Sequence, residues 1–302
     1  MTVPGTPKNY RFDGDIMTLE ARKNYDLSVA YRIYPRVSKV PPVFKEDKYK
    51  LSEFCLKSFK ESLGDLNAKI FVLLDNCPPE YEDLFKKYFD DEDLELIRLD
   101  GMGNLATFAL QIKTLLNQDF SDIVYFAEDD YFYMPNQFIE MLELLKENDD
   151  VDFVSPYDHP DDYHLKLHEH PYQVKATEKR HWRTASSTCL TFLTDKKTLK
   201  MTREVFESYS LGNHDASMWM SLTKYNMFHP IATLKNRKEH LYYKVIRLAW
   251  RYNGKQILFG KKWKLWVPMP TIGIHLESDF LPPTRKCLEF MEDEASKMDK
   301  LI

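Results

Sequence analysis

The chain has 302 residues, enough for one large α/β domain or a domain with a sizeable appendage. Its composition, 43% hydrophobic and 29% charged, is that of an ordinary soluble protein, and its net charge of −5 argues against nucleic acid as a partner. Cys55, Cys77, Cys189 and Cys287 lie far apart without a CxxC or Cys/His cluster, so neither a zinc site nor a disulfide scaffold is expected and a reducing cytosol is the simpler setting. Residues 1–26 form a polar segment with no apolar run, so no signal peptide is expected. No stretch is long and apolar enough to suggest a membrane span.

In chain order, Leu27–Tyr34 reads as a first strand, closed by Pro35. Leu51, Phe54, Cys55 and Phe59 recur at helical spacing and predict a helix over Lys48–Leu63, ended by Gly64. Ala68–Leu74 reads as a second buried strand, stopped at Asp75 ahead of Pro78 and Pro79. A helix at Glu80–Phe89, a strand at Leu94–Leu99 and a helix over Gly101–Leu116 follow. Ile123–Ala127 is a fourth strand, Pro135–Glu147 a helix and Val151–Ser155 a fifth strand. Strands alternating with helices over short connections predict βαβ units and a mostly parallel, doubly wound sheet. Beyond it, Thr184–Thr188 reads as a small-residue loop, Cys189–Leu193 as a strand, and Asp195–Ser208 and Ala216–Tyr225 as helices.

The fourth strand ends in three consecutive carboxylates, Glu128, Asp129 and Asp130. Adjacent carboxylates repel, and at the rim of a sheet they are best tolerated where a cation joins them. A divalent metal with oxygen ligands, holding a phosphate, suits such a cluster. Asp75 ends the second strand, so both features fall at strand carboxyl ends, where ligands bind in open α/β sheets.

The order of strand, helix, strand with Asp75, helix, strand, Gly101-Met-Gly103-Asn104 turn, helix, and strand with the acid cluster and Pro135 resembles a nucleotide-sugar glycosyltransferase of the GT-A fold, family 2 type. The resemblance covers the first half of the chain and isolated points beyond. It implies that Tyr34 and Asp75 hold the nucleobase, that Gly103 and Asn104 line the donor pocket, and that the acid cluster serves the diphosphate. Asp130 is then the direct ligand of Mn2+ or Mg2+, with Glu128 or Asp129 assisting or touching the ribose. A turn- or helix-capping role for Asp75 ahead of Pro78 and Pro79, and a helix-capping role for Asn104, are the competing readings. The Asn76-Cys77-Pro78 turn departs from the small, Ser-rich turn common in the family, and the helix after Gly101 lacks its Arg-Asn pair.

Further along, the resemblance implies that Asp215, in Gly212-Asn-His-Asp215, is the base on the acceptor hydroxyl, with His214 beside it and Trp219 as part of an acceptor platform. The competing reading is a helix cap. His275, closing Pro270-Thr-Ile-Gly-Ile-His275, completes the metal site by the same resemblance. His159, His164, His168 and His170 are too irregularly spaced for zinc and read as a mobile polar loop that closes over a ligand. Arg183 is a candidate for the diphosphate, while Arg180 reads as a solvated loop edge.

Between Lys235 and Lys264 there are ten basic residues and one acid, Glu239. Tyr242, Tyr243, Trp250, Tyr252, Phe259 and Trp263 are interleaved with them, and Trp266 follows. Such a segment suits an anionic membrane surface, and equally an ordinary helix pair with solvated lysines. The expectation is therefore a GT-A catalytic domain over 27–232 with a basic, aromatic C-terminal extension over 233–302 that completes the site. The expected activity is metal-dependent, inverting transfer from a UDP-sugar to a glycan or lipid-linked acceptor in polysaccharide biosynthesis, in the cytoplasm or at the inner face of its membrane. A nucleotidyltransferase of similar fold and a non-catalytic glycan- or membrane-binding protein are the alternatives. The first would need a Gly-rich loop after the first strand, which is absent.

Overall fold

A computed structural model describes residues 24–37, 39–236 and 238–300. Most of the polar N-terminal segment, and Arg237 of the basic stretch, lie outside the described residues. The first half follows the expected order: β1 (Leu27–Ile33), α1 (Lys48–Leu63), β2 (Ala68–Asp75), α2 (Glu80–Tyr88), β3 (Leu94–Leu99), α3 (Gly103–Asn117) and β4 (Ile123–Glu128). Then come β5 (Tyr131–Tyr133), α4 (Phe138–Glu147), β6 (Phe153–Val154), α5 (Asp161–His164), β7 (Val174–Ala176), β8 (His181–Ala185) and β9 (Phe192–Asp195). The chain ends with α6 (Lys196–Glu207), α7 (Asp215–Thr223), α8 (Pro230–Lys235), α9 (His240–Phe259), β10 (Leu265–Met269), β11 (Gly273–His275) and α10 (Arg285–Asp299).

Nine strands form one sheet in the order β3-β2-β1-β4-β9-β6-β10-β8-β7. The first four are parallel, and only β8 and β9 run against the rest, so the sheet is mostly parallel as expected. Side chains alternate across it. Leu27, Val29, Tyr31 and Ile33 of β1 join Ile70 and Val72 of β2 in a core shared with α1, α2 and α4. Ala30, Leu73, Val124 and Phe126 face the opposite core, with Phe108 and Ile112 of α3 and Leu199 and Phe206 of α6. Burial on both faces explains the apolar run from Ile70 to Leu74 in β2. Local signals set the helix ends: the Asp47 carboxylate accepts the Lys50 N–H at 2.9 Å, and Gly64 takes φ +56° where α1 stops.

Beyond β4 the structure differs from expectation in several places. Thr184 and Ala185, read as loop, lie in β8, which pairs with β10 inside the sheet. Within residues 233–302, β10 joins that sheet and β11 forms a two-stranded sheet with β5. Strand β9 begins at Phe192, three residues later than Cys189.

Trp219 is no acceptor platform. It is fully buried against Phe153, Phe192 and Phe206, and its Nε1 donates to the Cys189 carbonyl at 3.1 Å. Arg180 is not solvated, because its guanidinium is buried between the Glu140 carboxylate, at 2.5 Å, and the Gln137 side chain. Arg183 bridges Asp158 and Asp162 at 2.6 and 2.9 Å, all three buried, and so is committed away from any diphosphate. That pairing and the burial of His168 on Ser186 anchor the histidine-rich segment.

Candidate active site

At the carboxyl ends of β1, β2 and β4 lies a cleft of about 590 Å³. All nine expected site residues, Tyr34, Asp75, Gly103, Asn104, Glu128, Asp129, Asp130, Asp215 and His275, line it. Topology explains the convergence. Parallel β1, β2 and β4 deliver Tyr34, Asp75 and the acid cluster to one edge. Strand β9 runs antiparallel beside β4, so Cys189 and Leu190, just before it, reach the same edge. The β5–β11 pair sets His275 opposite Tyr131, and the Leu276 N–H donates to the Asp130 carbonyl at 2.8 Å, fixing His275 beside the cluster.

The three adjacent acids have three different partners. Glu128 is the register partner of Arg32 on β1, with which it forms an ion pair, and its second oxygen accepts from Thr191 Oγ1 at 2.9 Å. Arg32 also donates to the Asn104 side chain, whose amide in turn donates to Tyr209 Oη at 3.1 Å. Asp129 accepts from Lys48 Nζ at 2.7 Å and from the Tyr34 N–H at 3.1 Å, tying α1 and the end of β1 to the cluster. Burial, aided by the adjacent Asp130 charge, outweighs Lys48 and raises the Asp129 pKa.

Asp130 differs from both. Its Oδ2 lies 3.3 Å from His275 Nε2, while its Oδ1 is buried with no hydrogen-bond partner among the described residues. Burial opposes its ionisation, but His275, Lys39 and Lys48 outweigh burial and hold its pKa far below the usual carboxylate range. In return, the Asp130 charge overcomes burial and lifts His275 to about 10. Lys39 Nζ stands 3.2 Å from His275 Nε2 and 2.7 Å from Glu277.

An orphaned carboxylate oxygen beside an imidazole fits a divalent ion that takes its remaining ligands from phosphate and water. His275 must shed its proton to bind such an ion. The close-set acids Asp90, Glu92 and Asp93 precede β3, at the opposite end of the strands from the cleft, and take no part in it.

Asp75 is buried under the Gly101–Gly103 turn. Its two oxygens accept the Met102 and Gly103 N–H groups at 2.7 and 2.8 Å. Gly101 and Gly103 have φ of +75° and +78°, so the turn needs glycine at both positions. Asp75 thus fixes the cleft floor by holding the distant Gly101–Gly103 turn rather than the turn ahead of Pro78 and Pro79. Asp215 begins α7, with Oδ1 on the Ala216 N–H at 2.7 Å and 2.6 Å from His214 Nδ1. Burial works against its charge, but His214 and the Ala216 N–H prevail and lower its pKa, leaving it ionised at neutral pH. Arg32, Lys48 and Tyr209 escaped sequence reasoning because their partners lie far off in the chain; only the Arg32–Glu128 pairing had a signal, from strand register.

No family model and no curated protein matches the chain. Solved structures similar to it include the galactosyltransferase LgtC with donor and acceptor sugar analogs, at 14% identity over 89% of this chain and 95% of that one, TM-score 0.41. A putative nucleotide-diphospho-sugar transferase from Desulfovibrio desulfuricans G20 shares 11% identity over 78% and 98%, TM-score 0.41. The chain spans 63% of a Leptospira borgpetersenii cytidylyltransferase at 13% identity and TM-score 0.32, and 30% of S. aureus TarS at 15% and 0.38, less than two thirds of either. It covers 60% and 59% of its own length in those two pairings.

Proposed function

We propose that the chain is a metal-dependent glycosyltransferase that moves a sugar from a nucleoside diphosphate donor, UDP first among them, to a glycan or lipid-linked acceptor with inversion. The observation that carries this reading is the gathering of nine residues, picked from positions 34 to 275, around one cleft. The donor base lies over Tyr34 and the turn that Asp75 fixes, and the diphosphate lies toward Asp130. Asp130 and His275 hold the divalent ion, which neutralises diphosphate charge when bound. Glu128 and Asp129 shape the cleft through Arg32 and Lys48 rather than binding the ion. Asp215 takes the proton of the acceptor hydroxyl as its oxygen bonds the anomeric carbon and the bond to the diphosphate breaks. Lys39 adds positive charge beside the departing group.

The test is a thermal-shift screen of UDP, GDP and CDP with and without Mn2+. One nucleotide that stabilises the protein far more with the metal supports the reading, since stabilisation follows mass action. No stabilisation by any of them would overturn it.

A further inference from the structure

The basic stretch proves to be two surfaces. Tyr242, Trp263 and Trp266 are core residues, and Lys261 and Lys264 pair with Asp152 and Asp150, which removes them from any docking face. What remains lies on α8 and the outer side of α9. Lys244, Arg247, Arg251 and Lys255 follow one another at helical spacing along the exposed stripe of α9, and none pairs with a carboxylate among the described residues. Beside them α8 buries no residue at all, and Ile231 and Leu234 are 71% and 64% exposed. Between the two helices runs a groove of about 950 Å³, lined by Phe228, Leu234, Tyr243 and Trp250, with Lys238 at its rim.

We infer that this face docks the protein on an anionic phospholipid bilayer, the cations meeting headgroups and the α8 side chains and groove entering the acyl boundary. Charge favours this occupant. On the described residues of this face, Lys235, Lys238, Lys244, Arg247, Arg251 and Lys255 stand against the single acid Glu239, a net +5 on a chain whose total is −5, so the patch is a local reversal of the molecule's sign. A second copy docked through the same face would set like cations against each other. Apolar side chains flanking a cationic stripe form the arrangement of an interfacial helix. The inner face of α9 packs with Met220 and Ala216 of α7, the helix that Asp215 begins, and Tyr252 Oη donates at 2.9 Å to the carbonyl of Leu211, four residues before Asp215. Docking therefore brings the acceptor side of the cleft to the lipid surface, and a lipid-borne acceptor follows; that last step rests on the transferase reading.

The test is flotation of the full chain with phosphatidylcholine vesicles, with and without 30% phosphatidylglycerol, at low and high salt. Binding to the anionic vesicles alone, weakened by salt, is expected. Each basic residue at such a surface is worth roughly fivefold in partitioning, so Lys244→Gln with Arg247→Gln should weaken binding about 25-fold. Ile231→Ser with Leu234→Ser should weaken it at least about tenfold while leaving the salt dependence in place. These positions are exposed, and unchanged circular dichroism checks the fold. Equal binding to both vesicle types, or variants that float like the parent, would overturn the inference. So would a dimer in solution that the Ile231 and Leu234 variant dissolves, which would assign the face to a second copy. Vesicle binding without any nucleotide response would leave the docking face standing and remove the transferase reading.

Discussion

Replacing Glu128 by Gln tests the division of labour among the three acids. The Glu128 and Arg32 side chains are 18% and 9% exposed, so their ion pair is largely shielded from water. Breaking such a pair by removing one charge typically costs 3–5 kcal/mol, because the surviving charge is left uncompensated. Gln keeps an acceptor for Arg32 and Thr191, which places the expected loss at the lower end, about 3 kcal/mol, or roughly 5 °C in Tm. Urea and thermal unfolding read this directly, and nucleotide titration with Mn2+ on the folded variant should show affinity within about threefold of the parent. The opposite pattern, unchanged stability with metal-dependent nucleotide binding lost, would refute the reasoning and make Glu128 the metal ligand.

Asp215→Asn should lower kcat by roughly 10²–10⁴ while leaving UDP affinity unchanged, and an equal loss of both would deny it the role of base. Asp75→Ala strips two N–H groups of their acceptor and should destabilise the Gly101–Gly103 turn by about 1–3 kcal/mol for each, with hydrogen exchange rising first at Met102 and Gly103. Burial outweighs Arg183 and pushes Asp162 up to about 7. The folded state then holds a proton that the unfolded carboxyl releases near pH 4, so this group's contribution to stability falls as pH rises from about 4 to 7. Calorimetry of the parent against Asp162→Asn should show a steeper fall of stability with pH in that window for the parent, and equal slopes would contradict it.

The first half of the fold was legible because its elements announce themselves locally. Strand β2 is buried on both faces and so shows an apolar run from Ile70 to Leu74, and Gly64 stops α1 by its own backbone conformation. The second half depends on distant partners. Strand β8 sets Thr184 and Ala185 after His181, Trp182 and Arg183, a mixed run that becomes core only when β10 pairs with it, and β5 and β11 are three residues each, too short to show a period. Trp219 was misread because an aromatic one turn beyond a candidate base looks the same in sequence whether it faces a ligand or Phe192. At the site, the acids were visible as a run, but their separate roles were not. These follow from Arg32 and Lys48, which lie 96 and 81 positions away from Glu128 and Asp129 and meet them only in the folded chain.

Calorimetric titration of Mn2+ into the UDP-saturated protein and into its Asp130→Asn variant tests the central claim most directly. The account predicts one ion bound per parent chain and binding weaker by more than about 100-fold in the variant. Equal Mn2+ affinity in the two proteins would contradict it.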